Sequence, residues 1–437
     1  MSFVPLAKGV AVLPSVYDVP AAFIRGRAVL TNTAPTTAYR AAGRPEVMYV
    51  IERLIDLAAR RHGFDRVALR RRNLVPPTAM PYTNPFGIVY DSGDYPSTQD
   101  RVLALADWAG FEARRAEARR RGRLRGIGLA NYIEIATGAP RERAHVTARP
   151  DGWIDVVIGT LSAGQGHATS FAQLVEEWLG IPADKVVIES SDSDRLSVGG
   201  GSHSGRSMRQ AGTTIHQASQ GIIAQGKKLA AEALEASEAD IAFADGRFTV
   251  KGTDRGVGLV ELAAKHGPIA DAGEVNSRVG SYPYGWHVCE VEIDPETGVV
   301  RIARYTAIDD VGRAVNPLIL HGQTHGGIAQ GAGQALMEHM VYDAGQLLSG
   351  SFMDYAMPRA QDLPSFATAL SEVPSTTHPL GFRGGGEGGI TPALGVIVNA
   401  VVDALSEYGV THIDMPCSPE RVWRAIQKQP SLSGLAE

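Results

Sequence analysis

The chain has 437 residues, 44% apolar and 20% charged, with 42 Lys+Arg against 47 Asp+Glu and a formal net charge of −5. This composition excludes a disordered chain, a collagen-like chain and a disulfide scaffold, and the length suggests about three domain-sized units. The sequence has no apolar run of about 18 residues that would span a membrane, no general affinity for nucleic acid from its mild acidity, and no basic-then-apolar secretory signal, so a cytoplasmic location is expected.

Residues 1–45 mix short apolar stretches with Pro and Gly. From Pro45, the residues Val47, Val50, Leu54, Ile55 and Ala58 follow helical spacing, and Gly63 ends the helix. A short basic helix follows, with Asp65 as its N-cap. The prolines between 74 and 96 mark an irregular connection. Ser97 or Thr98 then caps a predicted long helix ending in Arg114, Arg115, Arg119, Arg120 and Arg121, a solvated face suited to a helix C-terminus.

After Arg125 the pattern changes, which places a boundary between a part covering 1–125 and a part covering 126–437. RGIGLANYIEI, RAHVTAR and WIDVVIG read as strands, with Pro150-Asp151-Gly152 as a hairpin turn. A helix over HATSFAQLVEEWLG, a strand KVVIESS, a helix over 211–236 and a strand GRFTVKGT follow. The segment WHVCEVEIDPETGVVRIARYTAIDDVG predicts an antiparallel pair turning at Pro295-Glu296-Thr297-Gly298. Buried helices are predicted over 323–338 and 394–409, the second apolar nearly all round, and a short one over PERVWRAI. Hairpin-paired strands with intervening helices indicate an α+β, mixed α/β, architecture rather than a strict βαβ series.

The 49 glycines cluster at 162–169, 198–207, 321–333 and 381–395. Glycine is costly inside regular elements and useful where backbone turns left-handed or approaches a ligand, so four clusters suggest loops converging on one place. In the last of them Glu387 is flanked on both sides by glycine, and a buried carboxylate there could serve as a general base. The run Ser162 to Gly166 precedes a helix, whose N–H groups suit an anionic or polar cofactor; it lacks the third glycine of a GxGxxG. Ser202, His203, Ser204, Arg206 and Ser207 form a composition suited to phosphate. His321 and His325 lie four apart beside Gln323, but no nearby carboxylate completes a metal set. Arg40 and Arg44 could steer an anion, or form ordinary surface ion pairs. Cys289 and Cys417 form no CxxC, so neither a structural zinc nor a cysteine-held iron–sulfur cluster is expected. His287 and Cys289 share one face of a predicted strand and are read as packing.

Taken together, TNTAPTTAYRAAGRPE (31–46), DSGDYP (91–96), SAGQGHAT (162–169), the GSHSGRS loop, DDVGRAVNPLILHGQTHGGIAQGAG (309–333), GGGEGGITPALGVIVNAVVDAL (384–405) and DMPCSPERVWRAI (414–426) resemble the molybdenum-binding large subunit of the xanthine dehydrogenase / aldehyde oxidase family. The resemblance implies a two-part molybdenum-cofactor-binding fold holding a pyranopterin molybdenum cofactor, in bacteria usually as the cytosine dinucleotide, with no direct protein ligand to the metal. It implies that Glu387 is the catalytic base. It makes Gly164, Gln165 and Gly166 a pterin-contacting loop and Ser204, Gly205, Arg206 and Ser207 a second cofactor loop. It puts Gln323 near the metal, and Arg40, Ala41 and Ala42 in the loop flanking metal and substrate. The implied reaction inserts water-derived oxygen at an electrophilic carbon of an N-heterocycle or aldehyde, with hydride transfer to molybdenum. Electrons then pass to a small [2Fe–2S] subunit and a medium FAD subunit.

Two departures from the family pattern bear on these expectations. The N-terminal hammerhead domain and the first glycine-rich cofactor segment of the family are not in this sequence, so the chain is expected to be the C-terminal portion of a split large subunit, its N-terminal half a separate partner. The carbon monoxide dehydrogenases carry a copper-binding cysteine in the loop that here reads AYRAAGR, so no copper–molybdenum site is expected, and the small Ala42 hints at a roomier pocket. A nucleotide-dependent dehydrogenase would need a strand–GxGxxG–helix that is missing here. A non-catalytic assembly subunit of such a complex is the remaining alternative.

Overall fold

Two four-stranded sheets and the helices packed on them organise the computed structural model, which describes residues 3–427. The first sheet runs Phe366–Ser371, Val300–Asp310, Tyr284–Ile293, Leu124–Ile133. Its middle strands are the antiparallel pair predicted around Pro295–Gly298, and Phe366–Ser371 joins parallel to Val300–Asp310. The second runs Ile269–Asn276, Arg141–Ala148, Ile154–Ile158, Val186–Ser190, with the predicted hairpin at Pro150–Gly152. The α+β class read from the order of elements is the class observed.

The first sheet is buried on both faces. On one side the Ala393–Ala404 helix packs against Leu124–Ile133 and Tyr284–Ile293, in a core shared with Ile328, Ala332 and Val422. Two glycines in the Leu124–Ile133 strand permit this: a Cβ on Gly126 or Gly128 would overlap the carbonyl oxygens of Ala400 and Val396. The other side covers Val12, Met48, Tyr95 and Phe111, so residues from both sides of position 125 share one core. The second sheet is covered by His167–Leu179 and Arg206–Ala233.

Several elements differ from their predicted bounds for local reasons. The long helix after residue 97 is two helices, Tyr95–Leu105 and Phe111–Arg120. Asp94, not Ser97 or Thr98, caps the first: its carboxylate accepts from Ser97 N at 3.0 Å. The break falls at Asp107, which is left-handed (φ 50°) and pairs with Arg114. The arginine run is only partly a solvated face, because Arg114 reaches the buried Glu290 and Arg115 pairs with Asp403. The helix predicted over 323–338 starts earlier, at Pro317, capped by the Asn316 side chain, and the one predicted over 211–236 starts at Arg206. The last long helix stops at Ala404, followed by a short 3-10 turn over Ser406–Tyr408. The strand Ile269–Asn276 was not predicted; only Ile269 and Gly273 along it are buried, which leaves little apolar signal.

Candidate functional site

The four glycine clusters meet at one cavity of about 440 Å³. The contacts between clusters explain the glycines. Gly205, left-handed at φ 65°, would drive a Cβ to 2.8 Å from Ala136 and 3.2 Å from Gly384, so the 198–207 loop lies directly on the 381–395 loop. A Cβ on Gly166 would stand 2.7 Å from Ile319, at the start of the Pro317–Leu336 helix. Gly388 and Gly389 pass so close to the Tyr132 hydroxyl and the Thr324 carbonyl that neither position has room for a side chain. Glu387 is flanked by glycine because its loop is threaded between that helix and the first sheet.

Glu387 lines the cavity with its side chain 16% exposed. Its Oε1 accepts from Ala41 N at 3.1 Å and its Oε2 from Arg44 Nη2 at 2.9 Å. Ala41 takes a left-handed conformation (φ 70°), uncommon for a residue with a Cβ, in the turn that presents this N–H. Arg40 ties the same loop down: Nε donates to Gly386 O at 2.7 Å, and Nη2 donates to Gln323 O at 2.9 Å and to Gln323 Oε1 at 3.2 Å.

Arg44 is not a surface ion pair. It is buried, donates to Ala42 O at 2.7 Å, and its Nη2 serves both Glu387 and Glu134, the latter at 2.6 Å. Glu134 follows the Leu124–Ile133 strand and is as buried as Arg44. Burial pushes its pKa up to about 8, with Arg44 opposing and Glu387 reinforcing the rise. Lys8 arrives from the short Val4–Gly9 helix, which crosses the 41–44 turn where Gly9 and Gly43 touch backbone to backbone. Its Nζ donates to Ser204 Oγ at 2.5 Å and Thr137 Oγ1 at 3.3 Å. Burial, and then the charge of Arg44, hold Lys8 below the usual lysine range.

Of the residues singled out in the sequence, Arg40, Gly164, Gln165, Ser204, Gly205, Arg206, Ser207, Gln323 and Glu387 line the cavity, and Gly166 abuts it. Gln165 Nε2 donates to Ser202 Oγ at 2.9 Å, and Ser207 Oγ to the same hydroxyl at 2.9 Å. Arg206 spends its guanidinium on the loop itself, bonding Glu142 at 2.7 Å and the carbonyls of Ala139, Gly201 and Arg141, rather than presenting it to an anion. Ala41 and Ala42 are buried and do not line the cavity; the small side chain of Ala42 therefore does not enlarge it. His321 and His325 both bond the Thr368 hydroxyl, at 2.8 and 3.2 Å, instead of framing a metal. His287 bonds Tyr305 and Asp309, and Cys289 sits in the core, as packing residues.

Sequence reasoning missed Lys8 and Glu134. Lys8 carries no motif. Glu134 did carry a signal, a lone carboxylate between two isoleucines directly after a strand that is buried on both faces.

Models of the molybdopterin cofactor-binding domain match residues 2–74 and 101–364. The chain is 34% identical to the carbon monoxide dehydrogenase large chain of Hydrogenophaga pseudoflava, over 94% of this chain and 55% of that protein. It is 36% identical to the gamma subunit of the 6-hydroxypseudooxynicotine dehydrogenase complex of Paenarthrobacter nicotinovorans, over 94% of this chain and 54% of that one. The structure of quinoline 2-oxidoreductase from Pseudomonas putida 86 superposes with a TM-score of 0.92 at 33% identity, covering 98% of this chain and 58% of that one. The chain thus spans about half the length of the relatives it matches.

Proposed function

The chain belongs to the molybdopterin cofactor-binding family of molybdenum hydroxylase large subunits, and on that premise we propose that its cavity takes a pyranopterin molybdenum cofactor, as the cytosine dinucleotide, with Glu387 as the base. The donor set fits such a group. The His167–Leu179 and Arg206–Ala233 helices both begin at the cavity after left-handed glycines, without side-chain caps; the Arg206 N–H turns back to His203 O, and the other uncapped N–H groups of the two first turns suit an anionic ligand. The hydroxyls of Ser202, Ser204 and Ser207 share that wall, and His167 Nδ1 is buried there without a partner. A Cβ on Gly164 would meet nothing within 4 Å, so the loop leaves room for a ligand against its backbone.

When bound, the group supplies the redox chemistry and accepts the two electrons that leave the substrate carbon. Glu387 accepts the proton: each of its oxygens is held by one donor, which fixes the carboxylate plane and leaves a lone pair on each oxygen. Arg40 fixes the backbone beside it. The observation that carries this reading is a carboxylate so held at the wall of a cavity built by three glycine-rich loops and the glycine-rich Pro317–Leu336 helix. The proposed reaction is hydroxylation of an N-heterocycle or aldehyde at an electrophilic carbon with oxygen from water. Cys289 and Cys417 lie in the core around the Ala393–Ala404 helix, away from the cavity, and Ala41 and Ala42 offer no thiolate, so copper has no part in the proposal.

Partners complete the assembly: a [2Fe–2S] subunit and an FAD subunit to carry electrons away, and the N-terminal half of the large subunit. Support for the last comes from the surface. Phe23, Leu30, Phe352 and Met353 are all more than 80% exposed. They lie on two segments that adjoin where Gly345 meets Asn32. Apolar exposure of this extent marks an interface. No helix among the described residues is long and apolar enough to cross a membrane, and a cytoplasmic location belongs to the proposal.

The test is co-expression with the neighbouring open reading frames, followed by molybdenum, pterin, iron and flavin analysis and a panel of N-heterocycles and aldehydes. The reading expects the metal and pterin in the purified complex and turnover of one substrate class. An intact complex free of molybdenum would instead identify a non-catalytic assembly subunit.

A further inference from the structure

We propose that Glu134 is a positioning residue for Glu387: the two carboxyls share one negative charge across Arg44, with the proton held on Glu134. The inference rests on the reading of Glu387 as the base. Arg44 Nη2 stands 2.6 Å from Glu134 Oε1 and 2.9 Å from Glu387 Oε2, so one guanidinium nitrogen serves both acids. The other oxygen of Glu134, Oε2, is buried and has no hydrogen-bond partner. An ionised carboxylate would leave that oxygen desolvated and without a donor, which is costly. A protonated carboxyl becomes a donor instead. Glu387, bonded to the same guanidinium nitrogen, is the acid placed beside it.

The other cations add positive charge near the two acids but donate no hydrogen bond to the orphaned Glu134 oxygen. Lys8 lies near both acids but spends its ammonium on Ser204 and Thr137. Arg40 is committed to Gly386 and Gln323. Tyr132 donates to Asp309, and Glu46 adds a further negative charge near Arg44. Burial, with the charge of Glu387 added, pushes Glu134 to about 8 against the pull of Arg44, in agreement with the orphaned oxygen. The arrangement holds the Glu387 carboxylate from one side by the Ala41 N–H and Arg44 and places a neutral acid on the other. Above about pH 8 Glu134 ionises and the two anions compete for Arg44.

The test is infrared titration of the full chain in its co-purified complex, with and without loaded cofactor. The proposal expects a protonated-carboxyl band that disappears with a midpoint near pH 8 and is absent in Glu134→Gln. It expects Glu134→Gln, which keeps a neutral donor beside Glu387, to retain turnover at pH 7 and flatten the pH profile above it, whereas Glu134→Ala loses turnover about 10-fold or more. Should Glu134→Gln fail to fold, Glu387→Gln serves: losing the neighbouring charge must move the band's midpoint down by about one pH unit or more. The proposal is overturned by a wild-type protein with no such band, by a band that survives in Glu134→Gln, or by a midpoint indifferent to Glu387→Gln. The base reading fails separately, if Glu387→Gln turns over normally while the band behaves as stated.

Discussion

Arg40 donates to the carbonyl of Gly386 at 2.7 Å, joining two segments 346 residues apart one residue before Glu387. The same side chain holds Gln323, so one planar fork sets the spacing between the helix and the carboxylate loop. A lysine cannot reproduce that fork. Arg40→Lys is expected to retain bound molybdenum and lose about 10²-fold in kcat, the scale set by a misplaced catalytic group. Parallel metal analysis and steady-state kinetics check it; unchanged kcat would show that Arg40 does not position Glu387.

Arg206 and Glu142 form an ion pair at 2.7 Å with both side chains fully buried. Removing one partner strands a buried charge, so Arg206→Ala should cost about 3–5 kcal/mol. Replacing both by apolar residues of similar size should cost much less. Denaturant titration of the two variants and a double-mutant cycle measure the difference.

Gly128 has no room for a methyl group, because the Val396 carbonyl occupies the space. Gly128→Ala forces the Ala393–Ala404 helix off the sheet, at a cost of about 1–3 kcal/mol or more. That helix follows Glu387 by only a few residues, so kcat should fall along with the denaturation midpoint. A loss of stability at full kcat would uncouple the helix from the site.

Two buried acids should give opposite slopes of stability with pH. Burial raises Asp309, but hydrogen bonds from His287, Thr324 and Tyr132 outweigh it and hold the carboxyl below its usual value of 3.8. The native state then binds fewer protons than the unfolded one, so this contribution is present above 3.8 and lost as pH falls through the folded value. Glu134 runs the other way. Its pKa rises from 4.5 to about 8, the native state holds the extra proton, and stability declines as pH rises between those values. Urea unfolding across pH should therefore show a falling limb from about 4.5 to 8 that Glu134→Gln flattens. The limb's persistence in that variant would assign it to another group.

The convergence of the glycine clusters was legible in the sequence because close approach of backbone leaves a residue-type signature: Gly205, Gly388 and Gly389 have no room for side chains. Glu387 stood out for the same reason. Lys8 and Glu134 did not, because what defines them is a partner 196 and 90 residues away. Nothing local distinguishes a lysine that will meet Ser204 from one that faces water. Helix limits depended on single side chains: Asp94 rather than Ser97 takes the cap, and Asp107 turns left-handed and splits the long helix. In the sequence Arg44 reads equally well as a surface ion pair; what removes that reading is its burial between the buried Glu134 and Glu387 at the cavity wall.

The central claim is that Glu387 moves the proton, and replacing its carboxylate by an amide tests this most directly. Glu387→Gln, purified with its partner chains, should keep wild-type molybdenum and pterin content and lose about 10²–10⁴-fold in turnover of whichever N-heterocycle or aldehyde the wild type accepts. Wild-type turnover at wild-type metal content would contradict it.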